Sequence, residues 1–161
     1  VNEMPYIIDT AYEKGMRIVL NPSPFNEALL ACDMHKISVF LLNEIEGWQI
    51  SGEKEPEKIL DKMMEKFPEA QVVLTLGSEG VVYRDKNSTY RQGIFKVKPV
   101  DTTAAGDTFT GYFIASMMKE LPVSEALKIC AKASAIAVSR MGAANSIPTV
   151  SEVEEAVLEE A

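Results

Sequence analysis

Little in this chain could build a disulfide framework or a metal cluster. It has two cysteines, Cys32 and Cys130, far apart among apolar neighbours, and one histidine, His35. That poverty predicts two buried, reduced thiols of the kind found in the cytoplasm. His35, close to Asp33 and Lys36, reads as a surface residue. No apolar run reaches membrane length, and no secretory or transit pattern is present, so no membrane partner is expected. Lys and Arg number 16 against 24 Asp and Glu, a net charge of −8, with acid gathered at Glu152, Glu154, Glu155, Glu159 and Glu160. Such a surface repels a phosphate backbone, which argues against nucleic acid as a partner. A polyphosphate ligand would need local cationic help, from bound metal. No Gly-x-Gly-x-x-Gly follows a strand, which sets a dinucleotide-dependent oxidoreductase well behind other readings. Repeats, low-complexity tracts and interdomain linkers are also missing.

What is present is ordinary for a globular protein. The 161 residues, 47% hydrophobic and 25% charged, predict a single domain over 1–161 with a real core. Apolar runs alternate with amphipathic stretches. A first helix around Tyr6, Ile7, Ala11 and Tyr12 ends at Gly15 and leads to a strand at 18–20, after which Asn21-Pro22-Ser23-Pro24 breaks the chain. Residues 37–42 and 72–76 have the length and continuity of buried strands, and 56–67 is helical, with Pro56 suited to a first turn. A hairpin is expected around Asp85-Lys86-Asn87, and helices at 107–119, 124–139 and after Val150. This alternation predicts an α/β fold whose parallel sheet is covered on both faces. Ligands gather beyond the carboxyl ends of such strands. Asn43 follows one strand and Gly77 another, so both are expected on the rim that carries Asp107.

The richest segment is Asp101-Thr102-Thr103-Ala104-Ala105-Gly106-Asp107-Thr108-Phe109-Thr110-Gly111. Phe109, Phe113 and Met117 recur every four residues, with Ile114 and Met118 alongside, which marks one apolar helix stripe. The helix therefore starts over 104–107, where unpaired N–H groups and the positive end of the dipole collect. Small side chains leave those donors open to an oxyanion. A carboxylate in the same turn can take a proton from an attacking hydroxyl, so cradle plus base reads as phosphoryl transfer. An Asp before a helix is often only a cap, and Asp101 by itself could be a turn cap. The pairing of two acids around Ala-Ala-Gly favours chemistry.

This run resembles the signature of the ribokinase family, the wider group also called phosphofructokinase-B carbohydrate kinases. Leu42-Asn43-Glu44-Ile45-Glu46 is similar to its Asn-x-x-Glu motif, and Thr75-Leu76-Gly77-Ser78-Glu79-Gly80 to its nucleotide loop. The run from Val138 through Arg140-Met141-Gly142 to Ser146-Ile147-Pro148 resembles its cation and nucleotide segment in the form typical of ribokinases. All four stand in family order at family-like spacing. The resemblance implies a three-layer α/β/α fold with a mostly parallel sheet, here without the N-terminal portion and its lid. It implies transfer of the γ-phosphoryl of ATP to a sugar hydroxymethyl, with ribose the best single acceptor.

The same resemblance assigns roles. Asp107 is the general base, and the N–H groups of Ala105, Gly106 and Asp107 hold the migrating phosphoryl group. Asn43 and Glu46 act through Mg²⁺ and its waters, or else form a capping box at the start of a helix. Thr75, Gly77, Ser78 and Gly80 approach the nucleotide, or simply turn the chain. Asp101 anchors a K⁺ site completed by carbonyls of Thr103, Ala137, Arg140 and Gly142 and by Ser146. Ala131 stands where the family often has Asn or His near the adenine, so base selectivity is left open. The resemblance covers the whole chain but only the latter part of a family member, and a full-length parent is expected to be a homodimer. Other sugar or nucleoside kinases, and a non-catalytic nucleotide-binding module, remain as alternatives.

Overall fold

The computed structural model of the chain describes residues 3–161. Its elements are α1 (Met4–Glu13), β1 (Val19–Leu20), β2 (Val39–Asn43), α2 (Glu44–Ser51), α3 (Pro56–Lys66), β3 (Gln71–Thr75), β4 (Val81–Arg84), β5 (Thr89–Gln92), α4 (Ala105–Met118), α5 (Val123–Val138) and α6 (Val150–Glu155). The five strands form one sheet in the order β1-β2-β3-β4-β5. β1, β2 and β3 are mutually parallel, with Val19 opposite Val39 and Asn43 opposite Thr75. Between β3 and β4 the chain has only five residues, too few for a parallel crossover, so β4 turns back and the sheet is mixed. An α/β fold with a largely parallel sheet thus follows the alternation in the sequence.

The chain packs as two compact units, one made of residues up to Gly77 with Val82–Thr89, the other of Ser78–Val81 with Tyr90–Ala161. In the first unit, β2 and β3 are continuous apolar runs because both their faces are covered: Val39, Phe40, Val72, Val73 and Leu74 are wholly buried. α3 turns Ile59, Leu60 and Met63 inward, while its outer face offers Glu57 and Asp61 to Arg84 at 2.7 and 2.5 Å. α2 follows β2 without a loop. It carries no apolar stripe to betray it, burying Glu46, Gly47 and Ser51 instead. Cys32 is buried here as a free thiol, and the exposed His35 meets Phe67 edge-on at 5.3 Å.

In the second unit α4 lies along α5. Phe109, Phe113 and Ser116 form the buried side of α4, and the first two rings stack 6.4 Å apart. Met118, expected beside the stripe, is 81% exposed. Five residues beyond Phe113 place it roughly 140° around the helix, off the packed face. α5 answers with small residues, Ala126, Cys130, Ala133 and Ala137, which allow the close approach. Burial pushes the free Cys130 thiol up to about 12, so it is inert at neutral pH.

Gly47 fixes how closely α2 sits on its neighbours. A Cβ there would lie 2.8 Å from Ile59 Cγ2 and 3.2 Å from Leu74 Cδ1. Gly47→Ala should therefore cost about 1–3 kcal/mol by overpacking. Paired with Ile59→Ala, which makes room, the double mutant should lose less than the sum of the two. Urea denaturation of the four proteins checks this, and strict additivity would mean that the contact is not tight.

Candidate active site

In the first unit β2 delivers Asn43 directly to the N-cap of α2. Its Oδ1 accepts the Glu46 N–H at 2.9 Å, and Glu46 Oε2 accepts the Asn43 N–H at 2.9 Å, a complete capping box. Glu46 is buried, at 4% exposure. Thr75, opposite Asn43 in the sheet, donates its hydroxyl to Leu42 O at 3.2 Å. Asn43, Glu46 and Thr75 are therefore brought together at the carboxyl ends of β2 and β3, the end where such sheets hold ligands. Gly77 opens a 3₁₀ turn, Gly77–Glu79, that leaves β3.

Gly80 closes that turn with φ of +92°, and a Cβ on it would strike the Gln92 carbonyl and lie 2.9 Å from Gly93 Cα. Both facts demand glycine. In the second unit Gly80 consequently lies against the backbone at 92–93.

The start of α4 contrasts with that of α2. Ala104 is the N-cap and supplies no side-chain acceptor. Asp107 lies three residues inside, so it does not cap the helix. Of the donors expected in the cradle, Ala105, Gly106 and Asp107, the Ala105 N–H reaches Thr102 O at 3.2 Å. A Cβ on Gly106 would meet no atom within 4 Å. Asp107 is exposed, and beside it Thr108 Oγ1 is buried with no hydrogen-bond partner. Ser134 of α5 donates to Ala105 O at 3.1 Å and pins this end of α4. A cavity of about 830 Å³ begins at Asp107 and Thr108 and runs between α4 and α5 past Tyr112 and Ile129 to Pro148. Tyr112 closes part of it by donating to Pro148 O at 2.8 Å. The sequence offered no signal for this cavity, because Tyr112 and Pro148 are far apart in the chain.

Asp101 ties the loop before α4 to the loop after α5. Its Oδ1 accepts the Thr103 N–H at 2.9 Å and the Thr103 hydroxyl at 2.6 Å, and its Oδ2 accepts the Gly142 N–H at 3.1 Å. The N–H groups of Val100 and Asp101 both reach Val138 O. Asp101, Thr103 and Gly142 are thus assembled in one place. Ala137 O accepts the Arg140 N–H at 3.0 Å, and the buried Ser146 hydroxyl donates to Ala143 O at 2.7 Å. Arg140 itself pairs with Glu152 at 2.7 Å, and Glu152 caps α6 with Thr149. These donors hold Glu152 well below the usual range, at about 2.

The second unit thus presents a helix start without a side-chain cap and a carboxylate in its first turn. The chain matches the pfkB family carbohydrate kinases over residues 6–150, and it belongs to that family. It is 35% identical to a ribokinase of Schizosaccharomyces pombe, an alignment that takes in 91% of this chain and 48% of the relative. The crystal structure of ribokinase from Thermotoga maritima superposes with a TM-score of 0.81 at 32% identity, covering 95% of this chain and 53% of that one. Ribokinase of Arabidopsis thaliana, solved with ribose and ATP, gives 0.78 at 26% identity over 92% of this chain and 50% of its own. The chain therefore spans about half the length of the relatives it matches.

Three hydrogen bonds, led by the Thr103 hydroxyl, hold the Asp101 carboxyl below its ordinary 3.8. A depressed carboxylate pKa stabilises the fold above the ordinary value and loses that support as pH falls through the depressed one. The amides of Thr103 and Gly142 should be protected from exchange at neutral pH and lose protection, relative to other loops, only below about pH 4. Uniform loss across all loops would show that the carboxylate does not hold them.

Proposed function

We propose that this chain provides the nucleotide-binding and phosphoryl-transfer part of a carbohydrate kinase that moves the γ-phosphoryl of ATP to a sugar hydroxymethyl, with ribose as acceptor. The observation that carries the reading is the uncapped start of α4, with open space at Gly106 and an exposed carboxylate at Asp107. Similarity to ribokinases, one of them solved with ribose and ATP, supports the choice of sugar and nucleotide.

Asp107 accepts the proton of the attacking hydroxyl as the new O–P bond forms and the bond to the ADP oxygen breaks. The N–H groups of Gly106 and Asp107, at the positive end of α4, take up charge on the migrating group. Ser78 and Gly80 let the backbone approach the nucleotide, with Thr75 and Gly77 shaping the start of that loop. Among the described residues no group of three or more His, Cys, Asp or Glu could hold a metal ion. Asn43 and Glu46 would hold a hydrated Mg²⁺ through its waters. Bound there, Mg²⁺ supplies charge neutralisation on the phosphates.

For K⁺, Asp101 with the carbonyls of Thr103, Ala137, Arg140 and Gly142 and with Ser146 forms the proposed site. The oxygens already engaged keep second lone pairs for a cation. Two buried free thiols suit a cytoplasmic setting, and no helix among the described residues is long and apolar enough to cross a membrane. A protein of full family length carrying this chain would be a homodimer.

Asp107→Asn keeps shape and helix start but removes the base. In a kinase of full family length carrying this chain, turnover should fall by roughly two to four orders of magnitude while ATP affinity stays close to wild type. Near-normal turnover with saturating sugar would leave a non-catalytic nucleotide-binding module as the better reading. In the same enzyme, exchange of Na⁺ for K⁺ should raise activity, and Asp101→Ala should remove that response. Equal rates in both salts would reduce Asp101 to a loop anchor.

A further inference from the structure

Residues 157–161 have no part in the chemistry above, yet they are fastened to the backbone segment that follows the neighbour of the proposed nucleotide loop. After α6 the chain straightens at Ala156, with φ of −62° and ψ of 131°. It then runs antiparallel to residues 94–96, Glu160 facing Phe95. The Lys96 N–H donates to Glu159 O at 2.8 Å and the Ala161 N–H to Ile94 O at 2.9 Å. Leu158 packs against Phe95, Ala131 and Ala135. Lys96 and Lys128 clasp the Glu159 and Glu160 carboxylates, each at 2.7 Å. The carbonyl of Gln92, two residues before Ile94, is the group that lies against Gly80. The strand at 157–161 and the loop at 78–80 therefore share the backbone at 92–94.

We propose that residues 157–161 form a releasable acidic strap that restrains nucleotide binding at the 78–80 loop. The proposal rests on reading that loop as a nucleotide site. Because Gly80 lies against the backbone at 92–93, a strap fastened on 94–96 limits how the loop backbone can adjust to a ligand. The fastenings are weak ones. Both ion pairs are more than half exposed on the lysine side, at 55% and 59%, and such pairs contribute little in water. The strap is further held by two backbone hydrogen bonds and by the packing of the partly buried Leu158. A strap held this loosely can be displaced by a ligand that gains from its absence.

The test compares wild type with Glu159→Gln/Glu160→Gln and with Leu158→Asp, using Mg-ATP titration calorimetry and hydrogen exchange. Both variants loosen the strap and should bind Mg-ATP more tightly, by roughly twofold to fivefold, the effect of losing one or two exposed fastenings. Mg-ATP should also speed amide exchange at Lys96 and Ala161 of the wild type. If Leu158→Asp fails to fold, the charge-only variant decides, because it keeps the leucine. Wild-type binding with unchanged affinity in the variants, or with undiminished protection at Lys96 and Ala161, would overturn the strap and leave the kinase reading intact. No Mg-ATP binding by any of the three proteins would overturn that reading and the strap with it.

Discussion

The start of α4 is positioned by one carboxylate. Asp101 sits just before the helix and spends one oxygen on Thr103 and the other on Gly142, beyond the end of α5. Those bonds close the entry to α4 onto the exit of α5, while Ser134 fastens the first turn from the side. Without them a helix start that lacks a side-chain cap would have nothing to hold its geometry, and frayed donors cannot be preorganised for an anion. The depressed pKa of Asp101 reports the same bonds, since a carboxylate gathers three donors best when ionised.

The two units handle the same problem in opposite ways. α2 begins with Asn43 and Glu46 satisfying each other's backbone groups, so its N-terminus is chemically closed. α4 begins with Ala104, Ala105 and Gly106, which can satisfy nothing, so its N-terminus is open. Leaving donors unpaired costs stability unless water or a ligand takes them. The sequence caps one helix fully and gives the other no capping side chain, which is the contrast on which the proposed anion cradle rests. The capping box on α2 does not exclude a role for Glu46 near hydrated Mg²⁺, but it shows that the Asn-x-x-Glu spacing has a structural use of its own.

Much of this was legible in the residues. The buried strands at 39–43 and 71–75 follow from uninterrupted apolar runs, and the helix at 105–118 follows from Phe109 and Phe113. Pattern reading failed where burial does not follow hydrophobicity. α2 buries Glu46 and Ser51 rather than a stripe, and Met118 continues the composition of α4 but not its packed face. The apolar stripe after the carboxylate pair in 101–107 correctly signalled a helix there. That Asp101 would reach Gly142, that the Ala105 N–H would turn to Thr102, or that 157–161 would lie on 94–96 depends on contacts between distant residues, which no local pattern encodes.

Receipt of a phosphoryl group at the start of α4 can be measured directly. At 17.7 kDa the chain suits residue-resolved NMR, and titration of ¹⁵N-labelled protein with Mg-ATP reports each backbone amide separately. The amides of Gly106 and Asp107 should shift in a saturable way, together with those of Ser78 and Gly80, while amides late in α4, such as Met117, stay still. Saturable binding that moves Ser78 and Gly80 but leaves Gly106 and Asp107 untouched would contradict the claim that the start of α4 is the phosphoryl cradle.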